Sequence, residues 1–416
     1  MSMTYLRFAF LDTAWWRALA RLLDALDRPG PERAAGVGDA YRALAGAISA
    51  ARRPDLATLI AAALIDEPAP FQVGHDGAPS VGVLALLDLD MRTFAGLASR
   101  DYASEVRALG TTDAPDLRDL AFPAEDDERR TVIGGLATAL RLGAAREATE
   151  ALIAVLRGHG SGPAALNHAL RYTGGRLTAV AAPHGASLDD LVGLDDQLAR
   201  LSANTEALIA RRPSHNTLLY GPRGSGKSTA VRGLLERYGR SGLRLVELPV
   251  DELHHLAHLL DELRTLPQSF VLFVDDLGFE DGDSGYRPLR TLLEGGLSGR
   301  PPNVALYATS NRRHLVRERF SDRPDPLDDD VHGWDTQHEK LALADRFGLT
   351  LTFPDAGQRR YLELVTALAG ARSLTIDDLE RRAIRFAEWG NGYSGRTARQ
   401  FIDTLLQDRG VAEELR

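Results

Sequence analysis

Gly221-Pro-Arg-Gly-Ser-Gly226-Lys227-Ser228 is the stretch that decides the fold of this 416-residue chain. It matches the pattern G-x-x-x-x-G-K-[ST] at every defined position. Glycines in such a loop let successive backbone N–H groups turn toward a phosphate, and the lysine adds a compact positive charge. The run Asn216-Thr-Leu-Leu-Tyr220 before it predicts a buried strand, and residues 228–238 after it predict a helix. The stretch therefore predicts a phosphate-binding loop between a strand and a helix.

Lys227 is one of only two lysines in the chain, and all other Lys-or-Arg positions are arginines. A compact ammonium group suits the β- and γ-oxygens of a nucleotide, where the planar guanidinium of arginine fits poorly. Ser228 offers a hydroxyl to Mg²⁺, and the following helix presents its positive amino-terminal end to an anion. We therefore expect ATP and Mg²⁺ as ligands, with the nucleotide held by Gly221, Pro222, Arg223, Gly224, Ser225, Gly226, Lys227, Ser228 and Thr229.

The amino-acid composition indicates which broad classes of protein the chain can belong to. A hydrophobic content of 44% is enough for sizeable cores, and the length allows two or three domains of roughly 150 residues each. The net charge of −9 argues against a surface coated for non-specific nucleic-acid binding, although a local basic groove is compatible with it. The chain has no cysteine, no apolar run of membrane-spanning length and no start typical of a signal peptide. These features predict a cytoplasmic protein without disulfides that does not enter a membrane.

Apolar periodicity divides the chain into three parts. Up to residue 157, apolar residues recur mostly at helical spacing, although Val81–Leu89 fits a strand as well as a helix. Linkers containing glycine and proline follow at 158–163 and 181–186. We expect a mostly helical N-terminal domain with its linker at 1–184, a core that contains the phosphate loop at 185–355 and a helical C-terminal segment, called the lid, at 356–416.

The core alternates helices with continuous apolar runs, at 216–220, 243–248, 270–274, 304–309 and 349–353. Buried strands of this kind belong to a parallel sheet that is covered by helices on both faces. Ligands of such sheets bind beyond the carboxyl ends of the strands. The predicted fold class is therefore α/β, with the phosphate loop at the carboxyl edge of a parallel sheet.

Polar residues follow two of these strands directly. Asp275 and Asp276 come after strand 270–274, and Asn311 comes after strand 304–309. We expect Asp275 to hold Mg²⁺ or its water shell opposite Ser228. Asp276 is expected to orient or deprotonate an attacking water, and Asn311 is placed to sense a γ-phosphate.

The order of these motifs resembles that of the AAA+ ATPases. In this resemblance the phosphate loop is Walker A, the aspartate pair is Walker B and Asn311 is sensor 1. Arg346, in Asp345-Arg-Phe-Gly348, takes the place of the arginine finger, and Arg396, in Gly395-Arg-Thr-Ala-Arg399, takes that of sensor 2 on the lid. The resemblance implies Mg²⁺-dependent ATP hydrolysis in a homo-oligomer, a ring or open hexamer, in which Arg346 reaches the nucleotide of the neighbouring subunit.

Some stretches are more closely similar to particular AAA+ groups. Asp345–Leu349 resembles the arginine-finger box of the Holliday-junction branch-migration motor, and Arg396-x-Ala398 resembles sensor 2 of that motor and of clamp loaders. Four other stretches look like one bacterial AAA+ family of unknown function, namely 204–205, 307–315, 339–341 and 394–401. The similarity covers residues 185–405 and implies a fold and ATP chemistry without a known client.

Two assignments have alternatives. AAA+ proteins usually carry Asp-Glu at the end of Walker B, whereas this chain has Asp275-Asp276, so either Asp276 or Glu280 serves as the catalytic base. Arg399 lies three residues after Arg396, near the same helix face, and competes with it for the sensor-2 role. We favour Asp276 and Arg396.

The resemblance implies a protein that couples ATP turnover to remodelling or loading of a macromolecular client, either protein or DNA. One alternative is a DNA-associated loader or motor. Another is a nucleotide-gated scaffold, in which the shorter Asp276 leaves ATP bound with little turnover. The sequence does not identify the client.

Overall fold

The computed structural model describes residues 6, 8–28, 32–53, 55–71, 79–110, 127–180, 183, 185–278, 287–294, 300–311, 346–372, 374, 376–390 and 392–414. The chain forms two compact units, Met1–Asn167 and His168–Arg416. None of the described helices is both long enough and apolar enough to cross a membrane.

The described part of the first unit is helical. Its helices are α1 (Ala14–Asp27), α2 (Glu32–Ala50), α3 (Leu56–Asp66), α4 (Val81–Ser99), α5 (Tyr102–Ala108), α6 (Asp127–Arg141) and α7 (Ala145–His159), preceded by a 3-10 turn at Ala9–Asp12. The ambiguous stretch 81–89 is the first half of α4. Ser80 caps this helix, since its hydroxyl accepts a hydrogen bond from the Val83 N–H at 3.4 Å.

Aromatic side chains lie at the centre of the first unit. Phe8, Phe10 and Trp16 surround Phe94 of α4, with ring centroids 5.6 to 6.0 Å from that of Phe94. Such pairs stabilise a core beyond the burial of their area. Asp90, also buried on α4, accepts a hydrogen bond from the Leu6 N–H at 2.7 Å. The backbone at Leu6 is therefore fixed to α4.

A seven-stranded sheet forms the described core of the second unit, in the order β2-β1-β4-β5-β6-β3-β7. Its strands are β1 (Ala169–Thr173), β2 (Arg176–Ala179), β3 (Thr217–Tyr220), β4 (Leu243–Glu247), β5 (Ser269–Val274), β6 (Val304–Ser310) and β7 (Leu349–Thr352). All neighbouring strands are parallel except β1 and β2, which form an antiparallel pair at one edge. The predicted fold class is confirmed, and each predicted strand is present within one or two residues of its expected bounds.

The helices of the second unit are α8 (Asp195–Ile209), α9 (Lys227–Tyr238), α10 (Leu256–Arg264), α11 (Arg287–Glu294), α12 (Gln358–Ala371), α13 (Leu379–Trp389) and α14 (Gly395–Glu414). The last three pack on one another around their own apolar core, which includes Leu364, Ala383 and Phe401. Tyr361 of α12 donates a hydrogen bond to the Ala383 carbonyl of α13 at 3.0 Å. These three helices correspond to the C-terminal part that the sequence predicts to be a lid, and they are called the lid below.

A buried polar network joins α8 to the sheet. Asn204 of α8 donates from Nδ2 to the Tyr307 hydroxyl of β6 at 2.9 Å and to the His215 carbonyl at 2.9 Å. Its Oδ1 accepts the His215 N–H at 2.8 Å, and the neighbouring Thr205 hydroxyl lies 3.0 Å from that of Tyr307. Burial raises the pKa of Tyr307, so its hydroxyl stays protonated. The network fixes the segment that leads into β3.

The hairpin of β1 and β2 was not predicted. Its residues belong to the second unit, because β1 pairs with β4 of the central sheet, whereas the sequence-based boundary placed 168–184 with the N-terminal part. The division into a domain at 1–184, a core at 185–355 and a lid at 356–416 remains a prediction.

Candidate functional site

Three neighbouring strands of the second unit end at the same edge of the sheet. The order β5-β6-β3 places the loop after β3 beside the residues that follow β5 and β6. Gly221 begins the loop after β3, Asp275 and Asp276 follow β5, and Asn311 follows β6. The topology thus gathers the phosphate loop, both acids and the amide at one place.

Glycine is required at three positions of the loop. A Cβ on Gly221 would overlap the Phe353 carbonyl oxygen. Gly224 and Gly226 have φ angles of +76° and +99°, and a Cβ on them would lie 2.9 Å from the Ser394 Cβ and 2.8 Å from the Leu191 Cδ2. The first clash and the positive φ angles exclude other residues. The glycines therefore let the loop turn and pack closely against Phe353, Ser394 and Leu191.

Lys227 is buried at the start of α9, with 6% of its surface exposed. Its ammonium group donates to the carbonyls of Gly221 and Pro222 at 2.6 and 2.8 Å and to Asn311 Oδ1 at 2.9 Å. Burial lowers the pKa of Lys227, and the charges of Asp276 and Asp275 oppose that shift. The ammonium group of Lys227 is thus held inside the phosphate loop, where it is expected to contact a bound phosphate.

Asp275 accepts hydrogen bonds on both carboxylate oxygens. Ser228 and Thr309 each donate a hydroxyl to Oδ1 at 2.6 Å. Arg232 donates from Nη2 to Oδ2 at 3.1 Å, and its guanidinium carbon lies 5.5 Å from the centre of the Phe273 ring. The predicted metal-binding pair Ser228 and Asp275 is therefore in direct contact.

Asp276 has a left-handed backbone, with φ at +53°. Its N–H donates to the Thr309 hydroxyl at 2.9 Å, and Asn311 Nδ2 donates to its Oδ1 at 2.6 Å. Arg223 of the loop lies 4.0 Å from the other carboxylate oxygen, and both of these side chains are largely exposed. Asn311 therefore bridges Lys227 and Asp276 with the two ends of its amide.

The lid closes one side of a cavity of about 550 Å³ around these residues. The Gly395 N–H donates to the Gly224 carbonyl at 3.1 Å, which joins the lid to the loop. Arg396 lines the cavity, and no described residue bonds to its guanidinium. Arg399 also lines the cavity, but its guanidinium donates to Asp190 Oδ2 at 2.8 Å. Of these two arginines of α14, Arg399 is therefore ion-paired, and Arg396 lines the cavity without such a bond to a described residue.

Arg346 lies apart from this cluster. Leu349 pairs with Thr217 and Thr352 pairs with Tyr220 in the parallel strands β7 and β3. Arg346 precedes Leu349, whereas the phosphate loop follows Tyr220, so the two lie at opposite ends of these strands. Glu280 and Asp345 lie outside the described residues.

The site fits a nucleotide and its metal ion. Its volume lies within the range of about 300–1,000 Å³ that is usual for ligand cavities. The Ser225 hydroxyl oxygen is buried and bonds to nothing among the described residues, so it is available to a bound group. Hydroxyl and carboxylate oxygens at Ser228 and Asp275 are the ligand types that Mg²⁺ prefers. Ser225 and Thr229 line the cavity, the latter from α9, and the Pro222 carbonyl accepts a hydrogen bond from Lys227.

Two contacts of the site were not anticipated from the sequence. Arg232 lies four residues after Ser228 on α9, a spacing that places both on one helix face and that would have indicated its position. Asp190, the partner of Arg399, lies 209 residues away in the chain, and no local pattern indicates that pairing.

Residues 164–409 match the model of a protein family described as "Protein of unknown function (DUF815)". None of the curated proteins compared with the chain matches it. Among solved structures, the RuvB Holliday-junction branch-migration motor of Thermotoga maritima matches with 15% sequence identity and a TM-score of 0.32, over 53% of this chain and 72% of that chain. AMPPCP-bound DnaA from Aquifex aeolicus matches with 13% identity and a TM-score of 0.34, over 52% of this chain and 62% of that chain.

Proposed function

Because the chain belongs to the DUF815 family, described as proteins of unknown function, and has the AAA+ P-loop fold, we propose that it binds ATP with Mg²⁺ and hydrolyses it. The observation that carries this proposal is the hydrogen-bonded series from Lys227 through Asn311 to Asp276. It links the phosphate loop to the ends of two neighbouring strands. A cation, an amide and a carboxylate at one cavity are the groups that phosphoanhydride hydrolysis uses.

Each side chain has a distinct part in the proposed reaction. Lys227 exchanges the loop carbonyls for phosphate oxygens and stabilises the charge that develops on them. Asp276 takes a proton from water as the water oxygen bonds to the γ-phosphorus, and Asn311 orients both. The bond from that phosphorus to the bridging oxygen breaks, and its electron pair leaves on ADP. Ser228 and Asp275 would hold Mg²⁺, which neutralises phosphate charge when bound.

The location of Arg346 supports an assembly of several copies. β3 is four residues long, so its two ends are about 10 Å apart, and Arg346 lies beyond the far end from its own phosphate loop. We propose that Arg346 reaches the nucleotide of an adjacent copy instead. We propose that turnover changes this contact and the lid, and so moves a macromolecular client. A scaffold with slow turnover is the second candidate, favoured by the shorter acid at Asp276.

Nucleotide binding and phosphate release test the proposal directly. Lys227→Ala should weaken ATP binding about 10- to 100-fold, because charge-assisted hydrogen bonds are lost. Its melting temperature should stay near that of the parent, since Lys227 bonds only to the loop and Asn311 among the described residues. Arg237→Ala is a matched control on the same helix, because Arg237 pairs with Asp189 outside the cavity.

The outcomes separate the two candidates. Binding by the parent with steady phosphate release supports the ATPase. Binding with release no faster than that of Asp276→Asn supports the scaffold. Equal ATP affinity in the parent and Lys227→Ala would exclude this site as the nucleotide site.

A further inference from the structure

Arg232 places a permanent positive charge on the acid that is expected to hold the metal ion. Its Nη2 donates to Asp275 Oδ2 at 3.1 Å, while the hydroxyls of Ser228 and Thr309 donate to Oδ1. The side chains of Arg232 and Asp275 are 39% and 34% exposed, and both line the cavity. Both oxygens of the Asp275 carboxylate therefore accept hydrogen bonds from side chains, and one of these donors is permanently charged.

A divalent cation and this guanidinium compete for the same carboxylate. Arginine stays charged at any pH that proteins tolerate, so it cannot yield by losing a proton. Two positive charges within a few ångströms repel each other, and the repulsion is strong in a partly dry cavity. A metal ion between Ser228 and Asp275 would face Oδ1, so a guanidinium that stays on Oδ2 lowers the attraction of the carboxylate for that ion.

The ring of Phe273 gives Arg232 a second support. The guanidinium carbon lies 5.5 Å from the ring centre, within the range of cation–π attraction. A released guanidinium therefore keeps a favourable contact beside the site. The same ring belongs to β5, the strand that delivers Asp275. Arg232 therefore has two partners, the Asp275 carboxylate and the Phe273 ring. It keeps the ring contact when it leaves the carboxylate, so its movement between the two is reversible.

We propose that Arg232 is a positioning residue that holds Asp275 in place of the metal ion in the nucleotide-free site and weakens metal binding in the nucleotide complex. This inference rests on the proposed function of the same site. Ser228 and Asp275 would hold Mg²⁺, and the charge of Arg232 beside Asp275 would lower the affinity of that pair for the ion. Metal affinity, and with it nucleotide release, is regulated by one side chain of α9.

Metal binding to the ADP complex is the direct test. Mn²⁺ serves as the probe, and its affinity for the protein with saturating ADP is measured by electron paramagnetic resonance. Arg232→Met keeps an apolar stem against Phe273, and Arg232→Gln keeps hydrogen-bonding capacity, while both remove the charge. Both variants should bind Mn²⁺ about 10- to 100-fold more tightly than the parent, the range typical of changes around metal ligands. Arg232→Lys should stay near the parent because it keeps the charge.

A second measurement separates this role from a phosphate contact. Affinity for a fluorescent ADP analogue in EDTA should be the same in all four proteins. Arg237→Gln, on the same helix and paired with Asp189 at 3.0 Å, should leave both affinities unchanged. If one neutral variant does not fold, the other decides the question.

Three results would overturn the inference. Parental Mn²⁺ affinity in the folded neutral variants would show that Arg232 does not compete with the metal ion. Weaker ADP binding in EDTA would make Arg232 a phosphate contact. If the parent and Lys227→Ala bind ADP equally poorly, the proposed function fails and this inference falls with it.

Discussion

Asp276 is held in a backbone conformation that aspartate adopts at a cost. Its φ of +53° lies in the left-handed region, which costs most residues about 1–2 kcal/mol and which aspartate adopts more readily than bulkier residues do. The hydrogen bond from its N–H to the Thr309 hydroxyl at 2.9 Å and the bond from Asn311 at 2.6 Å keep it there. Such strain persists where the surroundings over-determine a residue, and it clusters at functional sites. The orientation of the Asp276 carboxylate is thus set by its backbone conformation as well as by its hydrogen-bond partners.

Asp276→Asn should slow hydrolysis about 10²- to 10⁴-fold, because a base is lost while the shape is kept. ATP affinity should change little. Phosphate release and equilibrium binding measure the two effects, with Glu280→Gln as the comparison. A parental rate in Asp276→Asn together with an inactive Glu280→Gln would assign the base to Glu280 instead.

Gly221→Ala should destabilise the second unit by about 1–3 kcal/mol or more, because its Cβ would overlap the Phe353 carbonyl and force the backbone apart. Gly370→Ala is the control, since a Cβ there meets nothing within 4 Å and the residue lies inside α12. That change should stabilise the helix by up to about 1 kcal/mol. Denaturant unfolding compares the two, and equal stabilities would contradict the close approach.

The residues of the phosphate loop could be predicted because their pattern is local. Gly221 and Lys227 lie within one run of seven residues, so the local sequence contains the whole constraint. The engagement of Asp275 by Arg232 depends instead on how α9 lies against β5, which is tertiary packing. The left-handed φ of Asp276 likewise arises from partners on β6 and after it.

At the scale of elements, the central strands were predictable and the edge hairpin was not. β5 and β6 are buried along their whole length, which gives continuous apolar runs. β1 and β2 carry exposed polar residues such as Arg171 and Thr178, and they are short. Gly174-Gly175 between them is a turn dipeptide typical of hairpins, and it was the one local indication.

Tyr307→Phe should destabilise the second unit by about 1–3 kcal/mol, because buried partners in Asn204 and Thr205 lose a hydrogen bond. Tyr238→Phe is the matched control. The Tyr238 hydroxyl donates to Glu206 at 2.7 Å in an exposed pair, so its loss should change stability by about 0.5 kcal/mol or less. Chemical denaturation measures both. Equal effects would show that the network does not stabilise the link between α8 and the sheet.

The two arginines at the start of α14 should behave differently. Arg396→Ala should lower the rate of hydrolysis about 10²- to 10³-fold, the cost of losing one donor to developing charge. Arg399→Ala removes a partly exposed ion pair with Asp190 and should cost less than about 1 kcal/mol of stability. Its hydrolysis rate should stay within a few-fold of the parent. The reverse result, with Arg399→Ala inactive and Arg396→Ala active, would move the sensor role to Arg399.

At the scale of the whole molecule, the sheet separates two groups that the proposed reaction needs together. The phosphate loop follows β3, and Arg346 precedes β7, which runs parallel beside it. One copy therefore cannot supply both groups to the same nucleotide without a large rearrangement. Two copies can, if the edge that carries Arg346 faces the cavity of the next. Such an interface makes activity depend on protein concentration.

Arg346→Ala should bind ATP like the parent yet hydrolyse it about 10³- to 10⁵-fold more slowly, the value of an arginine that stabilises phosphoryl charge from a neighbouring subunit. Mixing it with Lys227→Ala should restore part of the activity, because an intact cavity of one variant then meets an intact Arg346 of the other. Arg200→Ala, on the exposed surface of α8, is the control and should keep parental activity. Light scattering in ATP should show oligomers. Parental turnover by Arg346→Ala that is independent of protein concentration, with monomers in ATP, would exclude both the shared site and the assembly.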